Sequence, residues 1–106
     1  MKRAMTPLES FHINRMVEMG CWITSGPAEY HHWLTNMNGA GITRCHLFGA
    51  PLAPELHRLG SQSVHMMGDE TKFCELHGID KQRSLDEASI SMELFFTGKP
   101  KLRLVR

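Results

Sequence analysis

Glu29-Tyr30-His31-His32-Trp33-Leu34 is the stretch on which the reading of this chain turns. Its aromatic content predicts a β-strand. On a strand, His31 and His32 point to opposite faces, and Glu29 shares the face of His31. One imidazole then faces a metal ion and its neighbour a substrate or water. A neutral imidazole accepts a proton near pH 7, and its second nitrogen can be oriented by a backbone carbonyl. The plainer alternative is a pair of half-exposed strand histidines with no chemistry. Glu29 in turn orients His31, joins a metal shell, or is simply exposed.

Upstream, Cys21-Trp22-Ile23 is a short apolar run, and Ser25-Gly26-Pro27 signals a turn. Downstream, the turn-forming stretch Asn36 to Gly41 precedes a second predicted strand, Ile42 to Phe48, so the two strands make a long-looped hairpin. One face of that second strand carries Arg44, His46 and Phe48. Arg44 is either a phosphate contact or a solvated edge charge. His46 either braces the loop by hydrogen bonding or sits beside a scissile phosphate.

Pro54 starts a short helix through Glu55, Leu56, His57, Arg58 and Leu59, with Gly60 ending it. A strand histidine and a helix histidine can approach one divalent ion. Such an ion can polarise a phosphodiester and stabilise the charge that develops on it. His65 either returns to the same centre as a third ligand or stays a surface or supporting histidine.

Helices flank this hairpin. Thr6-Pro7-Leu8-Glu9 is a capped start for a helix over 7–19, stopped by Gly20. Asp69 caps a helix running through Phe73, Leu76 and His77 to Gly78, and Ser84-Leu85-Asp86-Glu87 is a capping box that introduces a helix to about Phe96. His12 and His77 fall on helices outside the histidine arrangement. The eight methionines are dispersed and read as core filler. The fold class is α+β, with one domain over 1–98 and a basic tail over 99–106.

With 106 residues the chain has room for one domain with a thin core, which a metal ion, a partner or self-association would help. Net charge is +1 overall. The balance is uneven: residues 1–98 carry eight basic and eleven acidic side chains, and KPKLRLVR at 99–106 carries four basic and no acidic ones. A long sequence-independent grip on DNA by the main body is therefore not expected, while the basic end suits a phosphate backbone, an acidic partner or mere solubility. Cys21, Cys45 and Cys74 fit no disulfide framework; Cys45 and Cys74 read as small buried hydrophobes. Without an export signal or a membrane-length apolar run, the cytosol with free thiols is the expected setting. Phosphate-loop, nucleophile-elbow and dinucleotide motifs are missing.

The order of these residues resembles small phage-borne HNH-type nucleases, in particular the catalytic domain of the RecA-dependent nuclease family called Ref. The likeness runs from His12 to about Leu76. It rests on Pro27-Ala28-Glu29-Tyr30-His31-His32, the Gly39-Ala40-Gly41 loop with Arg44 and His46, Pro51-Leu52-Ala53-Pro54-Glu55-Leu56-His57-Arg58, and His65 before Gly68 and Phe73.

The resemblance implies a ββα-metal fold, in which a β-hairpin and a following helix grip one divalent ion. It assigns His31 and His57 to the metal, with His65 as the further histidine of this branch. It makes His32 the general base and His46 the polar residue that holds the loop. The implied reaction is hydrolysis of a DNA phosphodiester with Mg²⁺ or Mn²⁺ in phage recombination or DNA processing. The implied setting is the host-cell cytoplasm, with a RecA-type recombinase filament as partner.

The chain departs from the family where relatives often bind a structural zinc. Cys21 and Thr24 stand in place of a C-x-x-C, and Ala53 and Leu56 in place of the second ligand pair, so that zinc is expected to be absent. Apolar packing involving Trp22, Leu52 and Phe48 would then replace it, with a homodimer or the later helices making up the remaining stability. Two other functional readings stand beside the nuclease. One is a non-catalytic DNA- or protein-binding, inhibitory protein on a degenerate HNH fold. The other is a structural zinc module using His31, His57 and His65.

Overall fold

The computed structural model describes residues 5–37, 40–41 and 45–98. Arg44 and the basic tail at 99–106 lie outside the described residues, so the expectations placed on them have no structural counterpart here. The elements in chain order are α1 (Pro7–Met19), β1 (Glu29–His32), β2 (Gly49–Leu52), a π-type turn (Glu55–Leu59), α2 (Val64–Met67), α3 (Glu70–His77) and α4 (Gln82–Thr97).

Helix α1 begins as its sequence dictates. Thr6 Oγ1 accepts the Glu9 amide, Glu9 Oε1 accepts the Thr6 amide, and Pro7 occupies the first turn, where its missing N–H costs nothing. His12 and Met16 point inward. Helix α4 packs against this face. His12 Nδ1 lies 2.6 Å from Ser91 Oγ, while Arg15 Nε donates to the same hydroxyl and Nη2 to the Glu87 carbonyl. His12 is thus a fully buried core histidine between α1 and α4.

The β-hairpin forms, but with a different second strand. The residues that pair with β1 are Gly49–Leu52, in the antiparallel register His31 to Ala50 and Tyr30 to Pro51. Of the predicted strand 42–48, residues 42–44 lie outside the described residues, and 45–48 form a turn closed by the Phe48 amide on the Cys45 carbonyl. His46 therefore sits on a turn rather than on a strand face.

Two local features allow 49–52 to be the strand. The Trp33 amide donates to the Phe48 carbonyl. By the alternation of an antiparallel ladder, this puts Pro51 where β1 requires no N–H from it. At Gly49 a Cβ would collide with the His31 carbonyl oxygen and lie 2.6 Å from the Tyr30 ring, so only glycine lets the strands close. The outer edge of β2 is partly covered, because the Trp22 amide donates to the Pro51 carbonyl.

The main core lies between this hairpin and α2–α3. It contains Trp33, Phe48, Ala50, Leu52, Val64 and Phe73, with Trp22 and Leu56 packed against it. Ala53 is buried beside them. Cys21 Sγ accepts the Ile23 and Thr24 amides at 3.3 and 3.4 Å, which organises the turn before the hairpin. Burial would raise the pKa of its thiol, but hydrogen bonds from the Thr24 side chain and from the Thr24, Ile23 and Ala53 backbone outweigh it and hold the thiol below the usual cysteine range.

Other expectations need correction. Cys45 is exposed rather than core. Met16 is fully buried, but Met5, Met19, Met37, Met66 and Met92 are exposed, so most methionines do not fill the core. Helix α4 starts at Gln82, with Asp80 Oδ1 accepting the Gln82 amide. Ser84 is consequently not a cap. It is buried inside the helix, where its hydroxyl accepts the Trp33 indole N–H at 2.8 Å.

Candidate metal centre

The hairpin and the turn that follows it bring three imidazoles together. His31 comes from β1, His57 from the π-type turn and His65 from α2. One nitrogen from each ring lies within 4.8 Å of the other two. Ring centroids are 5.0 Å apart for His31 and His57, 5.5 Å for His31 and His65, and 4.6 Å for His57 and His65. Nitrogens bound at about 2.0 Å to a tetrahedral ion are about 3.3 Å apart, so binding needs at most a small inward movement of the rings. A hairpin, a following helical turn and a histidine triad resemble a generic ββα-metal motif.

Local chain geometry places each ring. Strand alternation turns His31 inward, where it is 3% exposed. The wide turn after Pro54 carries His57; its first bonds run from the Leu56 and His57 amides to the Ala53 carbonyl, and it closes with the Gly60 amide on the Glu55 carbonyl. Ser63 caps α2 by accepting the Met66 amide, and Gly68 ends it with φ of 69°, which fixes the single turn bearing His65.

Two of the three rings are held from behind by carboxylates. His31 Nε2 lies 2.9 Å from Glu70 Oε2, and His57 Nδ1 lies 2.7 Å from Glu29 Oε1. Such pairs fix which ring nitrogen carries hydrogen and make the other a better donor to a metal. The donor chemistry of the site therefore fits a divalent ion. Glu29 is the partner of His57, so of the roles considered for it the geometry supports orientation, but of a different histidine. Arg58 Nε also donates to Glu29 Oε1 at 2.7 Å, and chiefly this bond keeps the Glu29 carboxyl below its usual range.

Glu70 has the densest set of partners here. Burial would raise its pKa, but bonds from His31, the Leu34 amide, Thr35 and Lys81 hold it down at about 2. Burial lowers the pKa of His31, with the Glu70 contact opposing that shift. Because the net shift is downward for both groups, His31 is neutral and Glu70 ionised at neutral pH.

His32 lies on the other side of β1. Its Nε2 is 2.9 Å from His46 Nδ1, and its ring stands edge-on to Tyr30 at 5.0 Å. The Tyr30 hydroxyl donates to the His46 carbonyl at 2.9 Å, tying the turn to the strand. Adjacent histidines thus serve two groups, His31 the triad and His32 the pair with His46. His77 stands apart, against the Phe73 ring and the Gln62 carbonyl.

A cavity of about 430 Å³ opens beside the triad, lined in part by His31, Thr35, His65, Asp69 and Thr71. Glu70, Lys81 and Tyr30 also serve these two histidine groups, though the sequence does not single them out. Glu70 follows a capping aspartate in a helix first turn, where an acid is commonplace, so no sequence signal separates it from ordinary helix chemistry. No helix among the described residues is long and apolar enough to cross a membrane. Comparison with known proteins finds no family model, no curated protein and no solved structure that matches the chain.

Proposed function

We propose that this chain is a metal-dependent endonuclease of the HNH type that hydrolyses DNA phosphodiester bonds. The observation that carries the reading is the convergence of His31, His57 and His65 on one centre, with a second imidazole pair, His32 and His46, one strand position away. The likeness in residue order to the Ref nucleases adds the substrate, DNA, and a RecA-type filament as partner. The uneven charge along the chain favours a division into a nuclease domain over 1–98 and a basic tail over 99–106.

His31, His57 and His65 would hold the ion. When bound, it supplies Lewis-acid polarisation of the phosphodiester and charge stabilisation at the departing oxygen. Of Mg²⁺ and Mn²⁺, three imidazole nitrogens favour Mn²⁺, because Mg²⁺ prefers oxygen ligands. Glu29 and Glu70 keep their partner rings in one orientation. His32 takes the proton from the attacking water as general base, with His46 fixing its ring through Nε2. Tyr30 holds His46 in reach by anchoring its carbonyl. Arg44 and the basic tail are assigned to the phosphate backbone, where they offset the acidic body.

Supercoiled plasmid incubated with the protein and Mn²⁺ or Mg²⁺ tests this reading. Nicking by wild type, reduced about 10²–10⁴-fold in His32→Ala with the fold retained, is the expected result. No cleavage with either ion, alone or with a recombinase filament, leaves the non-catalytic binding protein. Stoichiometric zinc whose chelation unfolds the chain points to the structural module instead.

A further inference from the structure

Glu70 opens α3 directly behind His31 and is only 8% exposed. Its two oxygens are divided between two jobs. Oε1 accepts the Thr35 amide at 2.9 Å, the Thr35 hydroxyl at 2.8 Å and the Lys81 ammonium at 3.1 Å. Oε2 faces His31 Nε2 at 2.9 Å and shares the Leu34 amide with Oε1. Lys81 is itself 8% exposed and also reaches the Thr35 hydroxyl and carbonyl. The carboxylate is pinned from the side away from the triad.

These donors have a fixed direction. A backbone amide and an ammonium can only donate, and gathered with the buried Lys81 charge they favour the ionised carboxylate, which has no hydrogen to offer His31. The hydrogen between Glu70 and His31 therefore belongs to Nε2, and the lone pair of the ring lies on Nδ1. We propose that Glu70 is a positioning residue that locks His31 in the Nε2–H tautomer and thereby presents Nδ1 to the cation at the triad.

The same bonds keep Glu70 from swinging round to become a ligand, so the protein's donor set stays at three nitrogens. Lys81 balances its charge. The second half of this inference rests on the metal-site reading above; the tautomer does not.

The test is ¹⁵N–¹H correlation spectroscopy of the histidine rings in the metal-free full chain, followed by titration with Zn²⁺ as a diamagnetic probe. Wild-type His31 is expected to show a protonated Nε2 and an unprotonated Nδ1. In Glu70→Gln the carboxamide oxygen keeps the Thr35 and Lys81 donors, and its NH₂ is left facing His31 Nε2. That ring nitrogen must then accept, the hydrogen moves to Nδ1, and Zn²⁺ affinity falls about 10–100-fold. A merely structural role for Glu70 would not reverse the ring's nitrogen signals.

A protonated Nδ1 in wild-type His31, or a Glu70→Gln protein that keeps both the wild-type tautomer and its Zn²⁺ affinity, overturns the proposal. Should Glu70→Gln not fold, the wild-type spectrum alone decides the tautomer. Thr35→Val, which removes one donor to Oε1 without touching His31, should leave that tautomer in place. Wild type with the Nε2–H tautomer but no Zn²⁺ binding would contradict the metal-site reading and leave the assignment of the ring hydrogen standing.

Discussion

Glu29 Oε1 stands 2.7 Å from His57 Nδ1, joining the first residue of β1 to the turn that follows the hairpin. The contact fixes His57 with its hydrogen on Nδ1 and leaves Nε2 for a metal ion. Removing the carboxylate in Glu29→Ala frees the ring to rotate and to change tautomer. Divalent-ion affinity should fall about 10–100-fold while the fold persists. Arg58→Ala, which strips only an exposed partner from the same carboxylate, should have a much smaller effect. Isothermal titration of the two variants with Mn²⁺ compares them; equal losses would count against an orienting role for Glu29.

His12 gives the stability a pH dependence of known sign. Burial foremost, with Arg15 adding to it and Glu87 opposing, lowers its pKa from 6.5 to about 4. Between those values the unfolded chain binds a proton that the folded chain does not. Stability from this group is full above pH 6.5 and is lost as pH falls toward 4, by about 1.4 kcal/mol per pH unit at most. Chemical denaturation at a series of pH values should show a steeper acid loss for wild type than for His12→Asn. Parallel curves would exclude His12 as the source.

Ser84→Ala tests the corrected start of α4. If Ser84 were an exposed cap, the loss would come from helix fraying alone. Buried against Trp33, its removal strands an indole N–H in the core and should cost about 1–3 kcal/mol. Tryptophan fluorescence during denaturant unfolding, measured in a Trp22→Phe background so that Trp33 is the emitter, reports both the stability and the changed surroundings of the ring. An unchanged midpoint would argue against this contact.

Gly49→Ala probes the register of the hairpin. The added methyl meets the His31 carbonyl and the Tyr30 ring, so the strands cannot close without shifting. A loss on the order of 2–3 kcal/mol is expected, together with weakened ion binding because His31 moves with the strand. Gly41→Ala has open space around the added methyl and is the matched control.

How much of this could be read from the sequence depends on the range of each interaction. Thr6, Glu9, Asp69 and Gly78 act on neighbours within one turn, and the helices they delimit appear where local chemistry puts them. The parity of His31 and His32 is likewise local, and the two rings do take different partners. The same kind of rule, proline at a helix start, puts His57 on a short helical turn after Pro54.

The second strand failed because it depends on a pairing across the hairpin. Gly49 and Pro51 are weak strand formers in isolation. They suit this ribbon because one admits a close approach and the other sits where no N–H is needed. Glu70 and Ser84 were illegible for a related reason. Each looks like an ordinary first-turn residue, and its partner, His31 or Trp33, lies 39 or 51 positions away.

Titration of the metal-free full chain with Mn²⁺, followed by calorimetry at pH 7, tests the account at its centre, with the His31→Ala and His57→Ala variants alongside. Wild type should bind one ion per chain, and both variants should lose that binding while keeping wild-type far-ultraviolet circular dichroism. Wild type that takes up no ion, or folded variants that bind as wild type does, would contradict it.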